Sequence, residues 1–215
     1  MGPQPRPGRS GLNEARPAAV LFDLDGTLVD SEPVWAQATG ELAARYDVPW
    51  STADDEAIIG LAIPDVAALL IGRGVPLDSP TIEHWLNDRV AQIEVDGPPW
   101  RDGARALLAA LAAAQVPTAL VTMTYRSLAT SVAAAAPAGS LTVVVAGDDV
   151  ERGKPDPQAY LLAAAGLGVA PADCVAVEDS VPGITSALAS GALTYAVQPA
   201  TVLPAQQAAH PRLRR

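Results

Sequence analysis

Asp23 and Asp25 stand two residues apart at the end of the apolar run Ala18 to Asp23, and Gly26 and Thr27 follow them. If that run is a strand of an open parallel sheet, both carboxylates arrive at its carboxyl edge, where such sheets bind ligands. A second acidic pair, Glu178 and Asp179, closes the run that begins at Cys174. Should the two runs be neighbours in the sheet, up to four carboxylates converge and repel one another. A divalent cation among them removes the repulsion, and a ligand set of oxygen alone, without His or Cys, suits Mg2+ better than zinc. Taken singly, each pair also fits turn or cap chemistry, since Asp and Gly are ordinary loop residues and Asp179 could cap a following helix.

Lys154 shifts the reading toward chemistry. It is the one lysine among 14 basic residues and sits in the stiff sequence Gly153-Lys154-Pro155-Asp156-Pro157. A chain that uses Arg elsewhere and Lys here points to a need for a compact ammonium beside phosphate and carboxylate oxygens, against the plain alternative of an exposed surface Lys. Thr122, near the end of the run Thr118 to Met123, adds a hydroxyl donor at the same edge, although Thr is also an ordinary strand residue.

The elements that must position these groups are legible as a pattern. Five β-rich runs stand out: Ala18 to Asp23, Thr118 to Met123, Thr142 to Gly147, Cys174 to Glu178 and Leu193 to Gln198. Continuous apolar stretches such as Val143-Val144-Val145 suit strands buried on both faces. Helical patterns at Arg126 to Ala136, Pro157 to Leu167 and Val181 to Ser190 alternate with the last four runs. That alternation predicts an α/β fold with a doubly wound, Rossmann-like parallel sheet. Asp102 is a candidate cap for a helix through Gln115, and Ser180, followed by Pro182, for another.

Residues 32–100 break the rhythm with four helical patterns, Pro33 to Asp47, Thr52 to Ile59, Asp65 to Gly72 and Thr81 to Val95, and no convincing strand. They read as an α-helical domain inserted into the α/β core of residues 16–31 and 101–199, with 1–15 and 200–215 as loosely held ends. Trp35, Trp50, Trp85 and Trp100 fall within the insert and are expected mostly to build its small core, with Val34, Ala38, Leu42 and Tyr46 lining one helix face. Trp35 follows the first acidic motif closely enough to face a bound ligand as well.

Composition bounds the function. The chain has 215 residues, 49% apolar and 18% charged, which excludes disorder as its main state. A net charge of -10 disfavours a nucleic-acid binder, though not a small anionic substrate where cations are gathered locally. Cys174 stands alone, so no intramolecular disulfide or multi-cysteine zinc site is expected, and a reducing cytoplasm suits the chain. His84 and His210 are too few and too isolated for a His-rich zinc site or a catalytic triad. No run approaches the ~18 apolar residues of a membrane span, and the first residues lack the apolar run of a secretory signal. Nothing demands more than a monomer.

The four chemical elements, in this order, resemble the haloacid dehalogenase superfamily of aspartate-nucleophile phosphohydrolases. The resemblance rests on D-L-D-G-T-L-V-D-S-E-P at 23–33, Thr122, G-K-P-D-P at 153–157 and V-E-D-S at 177–180. The insert is similar to the small cap of β-phosphoglucomutase-like and phosphoglycolate-phosphatase-like members. The resemblance implies Asp23 as nucleophile and Asp25 as general acid and base, with Gly26 allowing a tight turn and Thr27 orienting Asp25. It implies Mg2+ held by Asp23, the backbone carbonyl of Asp25 and Asp179, with Glu178 assisting. Thr122 and the following amides would bind phosphoryl oxygens, and Lys154 would offset the charge of nucleophile and phosphate. The substrate would be a small phosphorylated metabolite, with Trp35, Met123 and Arg126 near it. Met123 departs from the small or polar residue of many relatives, which shifts expected phosphate binding toward backbone amides and Arg126. Where the similar mutases carry a His and an Arg for a second phosphate, this chain aligns Trp35 and Ile63, which favours a hydrolase over a phosphosugar mutase; a non-catalytic binding module is the third alternative. A P-loop is excluded because Gly147 to Gly153 is one residue too long and Pro155 replaces the needed Ser or Thr. A cysteine phosphatase is excluded because Ser180 stands where its Arg belongs.

Overall fold

The computed structural model describes residues 16–59, 61–94, 97–197 and 204–215. The expected N-terminal tail, 1–15, lies outside them, as do 198–203. The five apolar runs form strands β1 (Ala19–Phe22), β2 (Thr118–Val121), β3 (Val143–Val145), β4 (Cys174–Glu178) and β5 (Leu193–Ala196). A sixth, β6 (Leu213–Arg214), completes a sheet of order β3-β2-β1-β4-β5-β6 in which every pairing is parallel.

Alternate residues of each strand face opposite sides. Val20, Phe22 and Leu120 join one core with Leu108 of α5 (Ala104–Ala113) and Leu128 and Val132 of α6 (Arg126–Ala135). Ala19, Leu21, Ala119 and Val121 join a second core with Ala159, Tyr160 and Ala163 of α7 (Gln158–Gly166) and Ala187 of α8 (Val181–Ser190). Burial on both faces explains why these strands read as unbroken apolar runs. The chain order reverses at β1, which lies between β2 and β4, so its carboxyl end is a topological switch point with a crevice beside it. Phe22 is level with Leu120 and with Val177, and the residues that follow all three therefore leave the sheet at one edge.

Between β1 and α5 lie α1 (Glu32–Arg45), α2 (Thr52–Ile58), α3 (Ile63–Arg73) and α4 (Ser79–Ile93), with no strand among the described residues there. Ala38 and Leu42, Val66 and Leu70, and Ile82, Leu86 and Val90 recur at helical spacing and are buried together. All four tryptophans pack partly buried against this cluster, which is continuous with the core on the first face of the sheet and is not a separate core of the insert. Asp78 caps α4 by accepting from the Thr81 amide at 3.0 Å, and Gly74, at φ +113°, ends α3 in the left-handed conformation. The chain enters and leaves these helices side by side. The Asp30 amide donates to the Pro99 carbonyl at 2.8 Å and the Arg101 amide to that of Leu28 at 2.9 Å.

Two expectations are corrected here. Asp102 does not cap α5: the residue before the helix is Gly103, at φ +82°, and no side chain bonds to the helix start. The C-terminal segment is no loose end over 204–215, because Leu213 packs on Ile184 and Leu188 while the Arg212 guanidinium donates to the carbonyls of Ala172 (3.0 Å) and Gly191 (2.7 Å). A two-residue strand that pairs with β5 leaves no hydrophobic period to read. Ser180 does cap α8, accepting from the Gly183 amide at 3.1 Å.

Candidate active site

Asp23 follows β1, Glu178 ends β4, and Lys154 reaches them from the loop ahead of α7. The Lys154 ammonium, with its side chain 5% exposed, donates to Asp23 Oδ1 (2.5 Å), Glu178 Oε1 (2.6 Å) and the Val121 carbonyl (2.9 Å). All three of its protons are thus directed. Burial alone would lower the Lys154 pKa, but the Asp23 and Glu178 carboxylates outweigh it and the net displacement is upward. Tyr160, fully buried on α7, donates to Glu178 Oε1 at 2.8 Å, and its ring centre lies 5.4 Å from the ammonium.

Asp23, Glu178 and Asp179 each present a carboxylate oxygen within 4.8 Å of the others, a set that could hold a metal ion. Three carboxylates face one ammonium, which leaves an excess of negative charge in a poorly solvated place. Burial first, and Glu178 second, push Asp23 well above the usual carboxylate range against the pull of Lys154. The same two causes raise Asp179 to about 6. A hard divalent cation matches both the oxygen donors and the missing positive charge, so the residues fit Mg2+. The Asp25 carboxylate lies outside this set. Gly26, at φ +78°, is required twice over: the turn needs a left-handed residue, and a Cβ there would run into the Asp179 carboxylate.

The Asp25 carboxylate faces the helical segment. It accepts from Ser31 Oγ (2.6 Å), Trp35 Nε1 (3.1 Å), Thr122 Oγ1 (3.3 Å) and Thr124 Oγ1 (2.7 Å). Trp35 therefore meets the first acidic motif directly, whereas Thr27 does not orient Asp25: its hydroxyl donates to Asp179 Oδ1 at 3.2 Å. Asp23, Asp25, Thr122, Met123, Lys154, Asp179 and Trp35 all line one cavity of about 900 Å³ between the sheet edge and α1–α3. Met123 faces the Lys154 loop, its sulfur accepting from the Lys154 amide at 3.3 Å.

Two expected site residues do not line the cavity: Glu178, wholly buried in the charge cluster, and Arg126, which is corrected, since its Nε donates to Asp149 at 2.7 Å and its Nη2 reaches the Val144 carbonyl at 3.2 Å. A carboxylate within reach holds an exposed guanidinium by charge-assisted hydrogen bonds. Sequence reasoning missed four residues. Ser31 lies inside the motif at 23–33 and Thr124 two residues after Thr122, and both could have been found as hydroxyls near Asp25 and Thr122. Tyr160 reads only as a core aromatic, and Arg101, which lines the cavity, reads only as a linker residue.

Glu94, at the end of α4, is raised to about 7, chiefly by burial and then by the charge of Asp25. The folded protein thus keeps a proton that the unfolded chain gives up at the ordinary carboxylate pKa, so stability is lost as pH rises from there to about 7. Glu94→Gln should raise Tm at about pH 8 and leave it unchanged at about pH 4, by less than ~1 kcal/mol because the group is partly solvated. An equal Tm change at both pH values would contradict this.

The chain matches the family described as haloacid dehalogenase-like hydrolase over residues 17–191. It is 36% identical to hexitol phosphatase A of Escherichia coli over 184 residues, 82% of this chain and 81% of that protein. It is 34% identical to validoxylamine A 7'-phosphate phosphatase of Streptomyces hygroscopicus over 178 residues, 80% and 81% of the two chains. Among solved structures, it is similar to a CbbY variant of Rhodobacter sphaeroides in complex with xylulose-(1,5)bisphosphate, with a TM-score of 0.77 at 25% identity, covering 92% of this chain and 93% of that one. The acidic cluster at the switch point, the directed Lys and these likenesses converge: the chain belongs to the haloacid dehalogenase-like hydrolases, as a phosphohydrolase of that family.

Proposed function

We propose that the protein hydrolyses a small phosphomonoester, such as a sugar, polyol or glycolate phosphate, through an aspartyl-phosphate on Asp23 with the help of Mg2+. One observation carries this reading: Asp23 and Asp25 border the same cavity, the first held in a charge cluster by Lys154 and the second in reach of whatever leaves on the helical side. The names of the two phosphatases above support a phosphomonoester substrate, and α1–α4 serve as the cap that selects its leaving group.

Asp23 attacks phosphorus in line with the leaving oxygen, and Lys154 balances the charge gathered on the nucleophile and the phosphoryl oxygens. Thr122 and the amides after it bind those oxygens. Asp25, fixed by its hydroxyl and indole donors, protonates the leaving oxygen and then takes a proton from the water that frees Asp23. Asp23, Asp179 and the Asp25 carbonyl would hold Mg2+, with Glu178 assisting; the bound ion would neutralise the carboxylates and polarise the phosphoryl group. Trp35 and Ile63 pack on the leaving group and offer nothing to a second phosphate, which favours hydrolysis over phosphoryl return to a sugar bisphosphate.

Phosphate release from a panel of sugar, polyol and glycolate esters tests this reading. With Mg2+ present, at least one ester should release phosphate; exhaustive chelation should stop it, and added Mg2+ should restore it and raise Tm. Full turnover after metal removal would contradict the metal assignment. With β-glucose 1-phosphate and a trace of glucose 1,6-bisphosphate, glucose 6-phosphate formed faster than free phosphate would make the protein a mutase.

A further inference from the structure

Of the residues that α4 buries, Ile82, Leu86, Asn87 and Val90, Asn87 is the polar one, 3% exposed in the interior of a helix. Asn is a poor helix former, and a buried amide needs partners for both of its ends. Its Nδ2 donates to the Glu83 carbonyl at 2.8 Å, one turn back, and its Oδ1 accepts from the Tyr125 amide at 3.4 Å. The Glu83 carboxylate meets the same residue: Ser79 Oγ donates to its Oε1 at 2.7 Å, and the Tyr125 hydroxyl donates to its Oε2. Burial first, and then the bond to Glu83, push the Tyr125 hydroxyl up to about 12, so it stays a donor at neutral pH. Tyr125 belongs to the core. It follows Thr122, Met123 and Thr124 and stands just before α6, whose start has no side-chain cap of its own. Asn87 of the insert takes the Tyr125 amide instead, and Asp148 the Arg126 amide at 2.8 Å.

The loop held in this way touches the chemistry. Thr124 Oγ1 donates to Asp25 Oδ2 at 2.7 Å, and the Thr124 carbonyl accepts from the Gly147 amide at 3.0 Å. Contacts therefore run from Glu83 and Asn87 through Tyr125 and Thr124 to Asp25, although neither Glu83 nor Asn87 lines the cavity.

We propose that Glu83 and Asn87 are positioning residues of the reaction: they clasp Tyr125 from the insert and, by fixing the loop 122–125, set the Thr124 hydroxyl that orients Asp25. The inference rests on the phosphatase reading above and deepens it. If α4 shifts off the core, the Tyr125 amide and hydroxyl lose their acceptors, the loop loosens, and Asp25 loses a fixed donor on Oδ2. Seating of the helical insert is thereby coupled to the general acid, and turnover suffers more than substrate binding does.

Kinetics on an ester that the parent hydrolyses and amide hydrogen exchange of the peptide spanning 122–126 test this together. Asn87→Ala and Glu83→Ala should each lower kcat about tenfold, the worth of one hydrogen bond, with KM nearly unchanged. Glu83→Gln, whose amide oxygen still accepts from the Tyr125 hydroxyl, should restore most of that loss. Tyr125→Phe breaks the same bond from the core side, so the double variant Tyr125→Phe, Glu83→Ala should be no slower than the slower single variant. Both Ala variants should exchange faster at 122–126 and not in β1 or β4, a readout that does not depend on turnover. Parental exchange at 122–126 in both Ala variants, losses that multiply in the double variant, or a loss carried by KM alone would overturn the clasp and leave the phosphatase reading standing. No phosphate from any ester with the parent enzyme would overturn that reading and the positioning role with it.

Discussion

Asp23→Asn is expected to lower kcat by at least ~10³, about 4 kcal/mol of barrier, while the fold stays intact. Asn keeps the shape of the side chain and an oxygen that can still accept from Lys154, so the 2.5 Å contact has a substitute. What disappears is the carboxylate that forms the bond to phosphorus. The same change removes one of three carboxylates from a crowded, buried cluster in which burial and Glu178 already disfavour the charge at this position. The variant should therefore be no less stable than the parent in metal-free buffer. Steady-state phosphate release and a thermal melt check both halves; near-parental turnover in a folded variant would remove Asp23 from the nucleophile's role.

Lys154→Ala is expected to cost on the order of 3 kcal/mol in kcat/KM, and more in a site that relaxes poorly, because Asp23 and Glu178 are left buried with no adjacent ammonium. Stability should fall too, since Glu178 is wholly buried and would retain the Tyr160 hydroxyl and nearby donors without a cation. Lys154→Arg separates charge from shape. The ammonium sends its protons to Asp23, Glu178 and the Val121 carbonyl, which converge on one small centre. A planar guanidinium cannot meet three acceptors arranged around a point, and its bulk would displace one of the carboxylates. The Arg variant should thus fold better than the Ala variant yet turn over nearly as slowly. Normal turnover with Arg would show that charge alone suffices there.

The features that could be read from the sequence are those with a simple physical signature. Strands β1, β2 and β4 are buried on both faces and therefore appear as unbroken apolar runs, and their ends follow from where acids and hydroxyls interrupt them. Lys154 was conspicuous because a chain rich in Arg uses Lys once. Features set by competition between distant groups were not readable. Arg126 goes to Asp149, 23 residues on, and Thr27 to Asp179, 152 residues on, and nothing local to either residue marks the choice. Asp102 has the right side chain for a cap, but the left-handed Gly103 begins the helix instead. The two-residue strand β6 is set by its pairing with β5, by Leu213 and by the Arg212 guanidinium that finds two carbonyls, none of which forms a periodic pattern.

The central claim is a covalent phosphoryl group on Asp23, and chemical trapping tests it most directly. Enzyme and a phosphate-labelled ester that it turns over are mixed with Mg2+, quenched in acid within the first turnover, reduced with borohydride and digested. An acyl phosphate on Asp23 predicts label in the quenched protein and homoserine at position 23 after reduction, with neither seen for Asp23→Asn. Phosphate release without labelled protein at any point of the first turnover, or homoserine at another position, would contradict the account.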